Sequence, residues 1–144
     1  RVSNIINNNY STKINKIINI INSSNTKFII FTQYEKLIKK LHDILERVNI
    51  SNITFNDYND VTNFKNSNDK VLILSSTNNA SGIDLSFVTN LIIMEPIIGS
   101  FNFLRDIEKQ IIGRIYRNNQ KNNINIYRTI ISNTIEEQIY SNII

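Results

Sequence analysis

Val71-Leu72-Ile73-Leu74-Ser75-Ser76-Thr77-Asn78-Asn79-Ala80-Ser81-Gly82-Ile83-Asp84-Leu85 begins as an unbroken apolar run, stops abruptly in small polar residues and ends on Gly-x-Asp. A short continuous apolar run bounded by turn formers is the pattern of a strand buried on both faces, as parallel sheets require. A Ser/Thr/Asn/Gly loop at the carboxyl end of such a strand can present hydroxyls and backbone N–H groups to phosphates, and the Asp beyond it can accept from a ribose hydroxyl. Upstream, Lys27-Phe28-Ile29-Ile30-Phe31-Thr32-Gln33-Tyr34 repeats the pattern and leads into a helix at 34–47. The same reading predicts strands at 27–32, 50–55, 71–75, 90–95 and 124–130, with further helices at 59–65, 102–117 and 134–142. Ser11-Thr12 can cap a first helix whose Ile14, Ile17, Ile18 and Ile21 share one face. Strands that alternate with helices imply an α/β domain, a mostly parallel central sheet with helices on both faces. At 144 residues the chain fits one such domain, with no internal repeat.

A second block, Gln110-Ile111-Ile112-Gly113-Arg114-Ile115-Tyr116-Arg117-Asn118-Asn119-Gln120, sets Gln110, Arg114 and Arg117 at i, i+4 and i+7, which on a helix is one side. Leu104, Ile107, Ile111 and Ile115 form a neighbouring apolar stripe that can fix the helix to a core. Two guanidiniums on one face suit an anion, and Gly113 leaves the surface beside Arg114 bare for close approach. Taken alone, the segment reads rather as a solvated helix face with two unpaired arginines.

In this order and at these separations the blocks resemble the motifs of the second RecA-like lobe of superfamily-two helicases, most closely the Swi/Snf-type DNA translocases. That family's last motif is Gln-x-x-x-Arg-x-x-Arg-x-x-Gln, matched by Gln110, Arg114, Arg117 and Gln120. Ser75 or Ser76 with Gly82 matches the serine-to-glycine loop before it, and Phe31-Thr32-Gln33 looks like the phenylalanine-serine-glutamine end of the first strand. The run from Asn125 to Ile139 is similar to the closing strand and its Thr-Ile-Glu-Glu helix start. Asp84 stands where Swi/Snf-type proteins usually carry Asn, Gly113 replaces an Asp, Ile97 to Phe103 replaces a tryptophan-rich turn, and the family's Asp-Gly and Arg are missing around Asn56 to Phe64.

The resemblance implies a RecA-like three-layer fold and a motor lobe spanning 1–144. It casts Arg114 and Arg117 as arginine fingers, Gln110 as a contact to the γ-phosphate or attacking water, and Gly82 and Asp84 as nucleotide contacts. Thr32, Gln33, Ser75, Ser76 and Asn79 would line the nucleic-acid track by binding phosphates without reading bases. ATP and Mg²⁺ would be held jointly with an N-terminal RecA-like lobe absent from this chain, and the polymer would be double-stranded DNA, or RNA. The alternative is a degenerate, non-catalytic lobe that binds nucleic acid or a protein.

Composition narrows the chemistry. The three glycines at 82, 99 and 113 leave no Gly-x-x-x-x-Gly-Lys-Ser/Thr phosphate loop, so the chain alone is not expected to hydrolyse ATP. Without cysteine there is no disulfide or thiol chemistry, and His42, the only histidine, reads as a surface helix residue with no metal set around it. Lys36, Lys39 and Lys40 read as a solvated helix face, and Tyr116 as packing. Asn and Ile fill about two fifths of the chain, a bias better explained by an AT-rich genome than by function. A net charge of +4 suits a polyanion. No apolar stretch is long enough to span a bilayer. The expected home is an intracellular, reducing compartment such as a nucleus, viral factory or virion. Arg1 is not an initiator methionine, so a longer parent protein is expected.

Overall fold

The structure, a computed structural model, describes residues 13–32, 34–75, 84–94 and 124–129. Five strands, β1 (Phe28–Thr32), β2 (Asn52–Thr54), β3 (Val71–Ser75), β4 (Asn90–Ile93) and β5 (Asn125–Arg128), form one sheet in the order β2-β3-β1-β4-β5. Every pairing is parallel, with Phe28 opposite Val71 and Asn90, Asn52 opposite Val71, and Asn90 opposite Asn125. The three central strands β1, β3 and β4 are buried along their whole length, which is why they read as unbroken apolar runs. All five expected strands are present: β3 has the expected bounds, and the other four are shorter by one to three residues.

The side-chain alternation of the strands divides the core in two. Phe28, Ile30, Val71, Ile73, Ile92 and Met94 face α1 (helical over 13–22) and α2 (Glu35–Arg47), which contribute Ile17, Ile21, Leu41 and Leu45. Ile29, Phe31, Leu72, Leu74, Leu91 and Ile93 face the other way and pack with Phe64 of α3 (Tyr58–Asn66), Leu85 and Val88. This is the expected three-layer arrangement, with helices on both sheet faces. Of the expected first helical face, Ile17 and Ile21 are buried and Ile14 and Ile18 partly so. The helices expected at 102–117 and 134–142 lie outside the described residues.

Local chemistry fixes where the helices begin and end. α2 closes without a glycine: Asn49 adopts φ of 61°, Ile50 N–H donates to Leu45 O at 2.8 Å and Asn49 N–H to Glu46 O at 3.1 Å. These two bonds form a Schellman closure, with Ile50 and Leu45 both in the core. α3 opens on a capping box in which the Asp57 carboxylate accepts from Asn59 N–H at 2.8 Å and the Asp60 carboxylate from Asp57 N–H at 3.0 Å. At the amino ends of the strands, Asn90 Nδ2 donates to Thr26 Oγ1 at 2.6 Å and Asn125 Nδ2 to Asn90 Oδ1 at 3.1 Å. Lys27 Nζ donates to the carbonyls of Ser67 and Asp69 and lies 4.5 Å from the Phe64 ring centre. Partial burial holds that ammonium below its ordinary range, and the neighbouring Asp69 carboxylate pulls it back up.

Candidate functional site

The strand order sets the candidate site. β1 feeds through α2 to β2 on one side, whereas its neighbour β4 precedes β5 at the opposite edge. Adjacent parallel strands whose connections diverge open a crevice at their carboxyl ends, the usual ligand position in such sheets. Thr32 ends β1 there and is the register partner of Ser75, which ends β3. Two of the track residues named from sequence are thus brought side by side, on the sheet face that carries α2. Both are buried, Thr32 at 0% and Ser75 at 3% exposure, and the Thr32 hydroxyl accepts from Tyr34 N–H at 3.2 Å. The Thr32 hydroxyl therefore satisfies the backbone where the chain turns from β1 into α2.

Beside this pair a groove of about 330 Å³ runs between α2 and the carboxyl ends of β2 and β3. Glu35, Ile38, Lys39 and His42 line it from the helix, and Thr54, Phe55, Asn56 and Ser75 from the sheet. Thr54 is opposite Ile73 in the register, so it shares the α2 face with Ser75. His42, expected on the surface, is half-buried, and its Nδ1 lies 2.6 Å from Asn52 Oδ1. Asn52 is itself buried, and its Nδ2 donates to Ile50 O at 3.0 Å and Glu46 Oε1 at 3.2 Å. With the amide nitrogen so committed, the amide oxygen must accept, and His42 Nδ1 carries the proton. Lys36, Lys39 and Lys40 are exposed, in keeping with their expected helix face.

Asp84 is exposed, and its Oδ1 accepts from Ser86 N–H at 2.9 Å in a turn that is tied down by buried Leu85 and Val88. Gln33, Ser76, Asn79, Gly82, Gln110, Arg114 and Arg117 lie outside the described residues. The sequence reading passed over the groove itself. Its signal was the 35, 38, 39 and 42 spacing, one face of a helix, but the apolar periodicity of α2 drew attention to the opposite side.

Comparison with known proteins agrees with this architecture. The helicase conserved C-terminal domain family matches residues 12–119. Transcription termination factor 2 of Drosophila melanogaster is 28% identical over 143 residues, covering 90% of this chain and 13% of that protein. The ATP-dependent helicase fft1 of Schizosaccharomyces pombe is 27% identical over 139 residues, covering 90% and 14%. Among solved structures, the C-terminal part of the Fun30 ATPase domain superposes with a TM-score of 0.76 at 25% identity, covering 90% of this chain and 44% of that one. The chain spans about an eighth of the length of these curated relatives. It belongs to the helicase conserved C-terminal domain family, as a second RecA-like lobe most similar to those of Swi/Snf-type helicases.

Proposed function

We propose that this chain is the second motor lobe of an ATP-dependent, Swi/Snf-type translocase acting on double-stranded DNA. The observation that carries the reading is the family match, whose span over residues 12–119 includes Gln110, Arg114 and Arg117. In this reading a first RecA-like lobe elsewhere in the protein supplies the phosphate loop and the carboxylates for Mg²⁺, and ATP is bound between the lobes. Arg114 and Arg117 then reach the γ-phosphate as its charge redistributes, where a planar, permanently charged fork is worth far more than an ammonium. Gln110 holds the γ-phosphate or the attacking water, and Gly82 and Asp84 border the nucleotide. Thr32, Gln33, Ser75, Ser76 and Asn79 form the phosphate-facing track at the carboxyl edge. Thr32 and Ser75 stand side by side at the carboxyl ends of β1 and β3, and because both side chains are buried their part in the track is to shape the strand ends.

The test is Arg117→Lys in the full-length protein. DNA-stimulated ATP turnover should fall at least tenfold while DNA affinity stays within about twofold, since the change touches transition-state charge and not the polymer. An unaltered turnover rate would remove Arg117 from the chemistry and favour a non-catalytic binding lobe.

A further inference from the structure

Residues 84–88 reach β4 through one tight turn, in which Val88 N–H donates to Leu85 O at 3.0 Å and Ser86 and Phe87 form the corners. Asp84 stands directly before it. Its Oδ1 accepts from Ser86 N–H at 2.9 Å, so the direction of the carboxylate follows the orientation of the turn. Leu85 and Val88 are buried in the core on the α3 side of the sheet and fix how deep the turn sits. Two anchors still leave a rotation about the line that joins them. The side chain that stops it is Phe87, half-buried against α3. Its ring centre lies 5.9 Å from that of Phe64 at an interplanar angle of 52°, and the Lys65 ammonium stands 5.7 Å from it. Phe64 is a firm support, because it is fully buried and Lys27 Nζ lies 4.5 Å from its ring centre. Tilted aromatic pairs and cation–ring contacts depend on geometry as well as on buried area, so Phe87 constrains the turn in a way that an aliphatic side chain would not.

We propose that Phe87 is a positioning residue for nucleotide binding: gripped by Phe64 and Lys65, it sets the tilt of the turn and thereby aims the Asp84 carboxylate, a role that rests on the proposed contact between Asp84 and the nucleotide. Through Phe87, α3 bears on ATP affinity without itself touching ATP. The ring acts by holding Asp84 in its bound direction before nucleotide arrives, which spares the ordering cost that a rocking turn would add to binding.

The experiment is a double-mutant cycle in the full-length protein, read as KM and kcat for ATP with saturating duplex DNA and at a temperature where every variant is folded. Asp84→Ala should raise KM about fivefold. Phe87→Leu keeps an apolar side chain but loses the ring, and should raise KM about threefold with kcat within about twofold. In the Asp84→Ala background it should add nothing further, because its effect passes through that carboxylate. Lys65→Met keeps the stem and removes the cation, so a rise in KM of about twofold is expected, and Lys65→Arg should show none. Lys65 is exposed, so this pair decides the question even where Phe87→Leu loosens the fold. A Phe87 that merely packs would lower the melting temperature and leave KM unmoved, or would shift KM equally with and without Asp84. Either result overturns the assignment, as does a KM that ignores Lys65→Met. An Asp84→Ala variant with unchanged KM removes Asp84 from the nucleotide and the assignment with it. The motor-lobe reading fails separately, through Arg117→Lys and its ATP turnover.

Discussion

Asn49 is the residue on which the end of α2 depends, because it carries the positive φ that lets the chain reverse toward β2. Asn tolerates the left-handed region better than other side chains, yet glycine meets no steric cost there at all. Asn49→Gly should therefore raise stability by up to about 1 kcal/mol, and Asn49→Val should lower it by about 1–2 kcal/mol, with the Schellman bonds from Ile50 and Asn49 as the element at stake. Thermal melts of both variants check this; equal melting temperatures would show that the turn bears no strain. Such a residue was invisible in the sequence, where Asn occurs everywhere and only three glycines mark turns. Asn52 and Asn90 were hidden in the same way. Each is buried at the amino end of a strand with its amide fully engaged, but neither differs in sequence from its solvent-facing neighbours. His42 was placed on the surface because its partner Asn52 is ten residues away on another element, a pairing that periodicity cannot reveal.

At the scale of elements, the central strands were legible because burial on both faces demands continuous apolar sequence, and β1, β3 and β4 supply it. β5 was found at its place in the pattern although half-exposed, whereas the strand order, with β3 between β2 and β1, is set by long-range packing that no local pattern encodes. One tie that spans elements is Lys27, which joins the entry of β1 to the loop between α3 and β3. Lys27→Met keeps the stem over Phe64 but leaves the Ser67 and Asp69 carbonyls without this donor. A loss of about 1 kcal/mol is expected, at the low end for a charged donor because the site is partly solvated. The pH dependence has a definite sign. The folded state holds the Lys27 ammonium below 10.5, so between that lowered value and 10.5 the unfolded chain binds more protons. The wild type should accordingly gain stability relative to Lys27→Met as pH rises through this window, and denaturant titrations at several alkaline pH values would show it. A gap between the two proteins that does not change with pH would mean that burial does not depress the Lys27 ammonium.

At the scale of the molecule, the proposed motor lobe would supply one half of a nucleotide cleft. That half would be the carboxyl edge of β1, β3 and β4, where Thr32 and Ser75 end their strands and where a ligand of a parallel sheet of this order is expected. A nucleotide needs more than that edge, because the triphosphate must be cradled by backbone amides and Mg²⁺ before an arginine can act on its transition state. The glycines at 82, 99 and 113 do not have the spacing of a phosphate loop, so in the proposed reading that cradle comes from the other lobe. The factor of about 10³–10⁵ that an arginine finger contributes is realised only on nucleotide already positioned by another lobe. The chain on its own should therefore show no ATP turnover above background, with or without duplex DNA. The full-length protein should turn over ATP and be stimulated by DNA. Phosphate release from the purified chain, removed by Arg117→Lys and so not due to a contaminant, would place a complete catalytic site within these 144 residues and end the two-lobe reading.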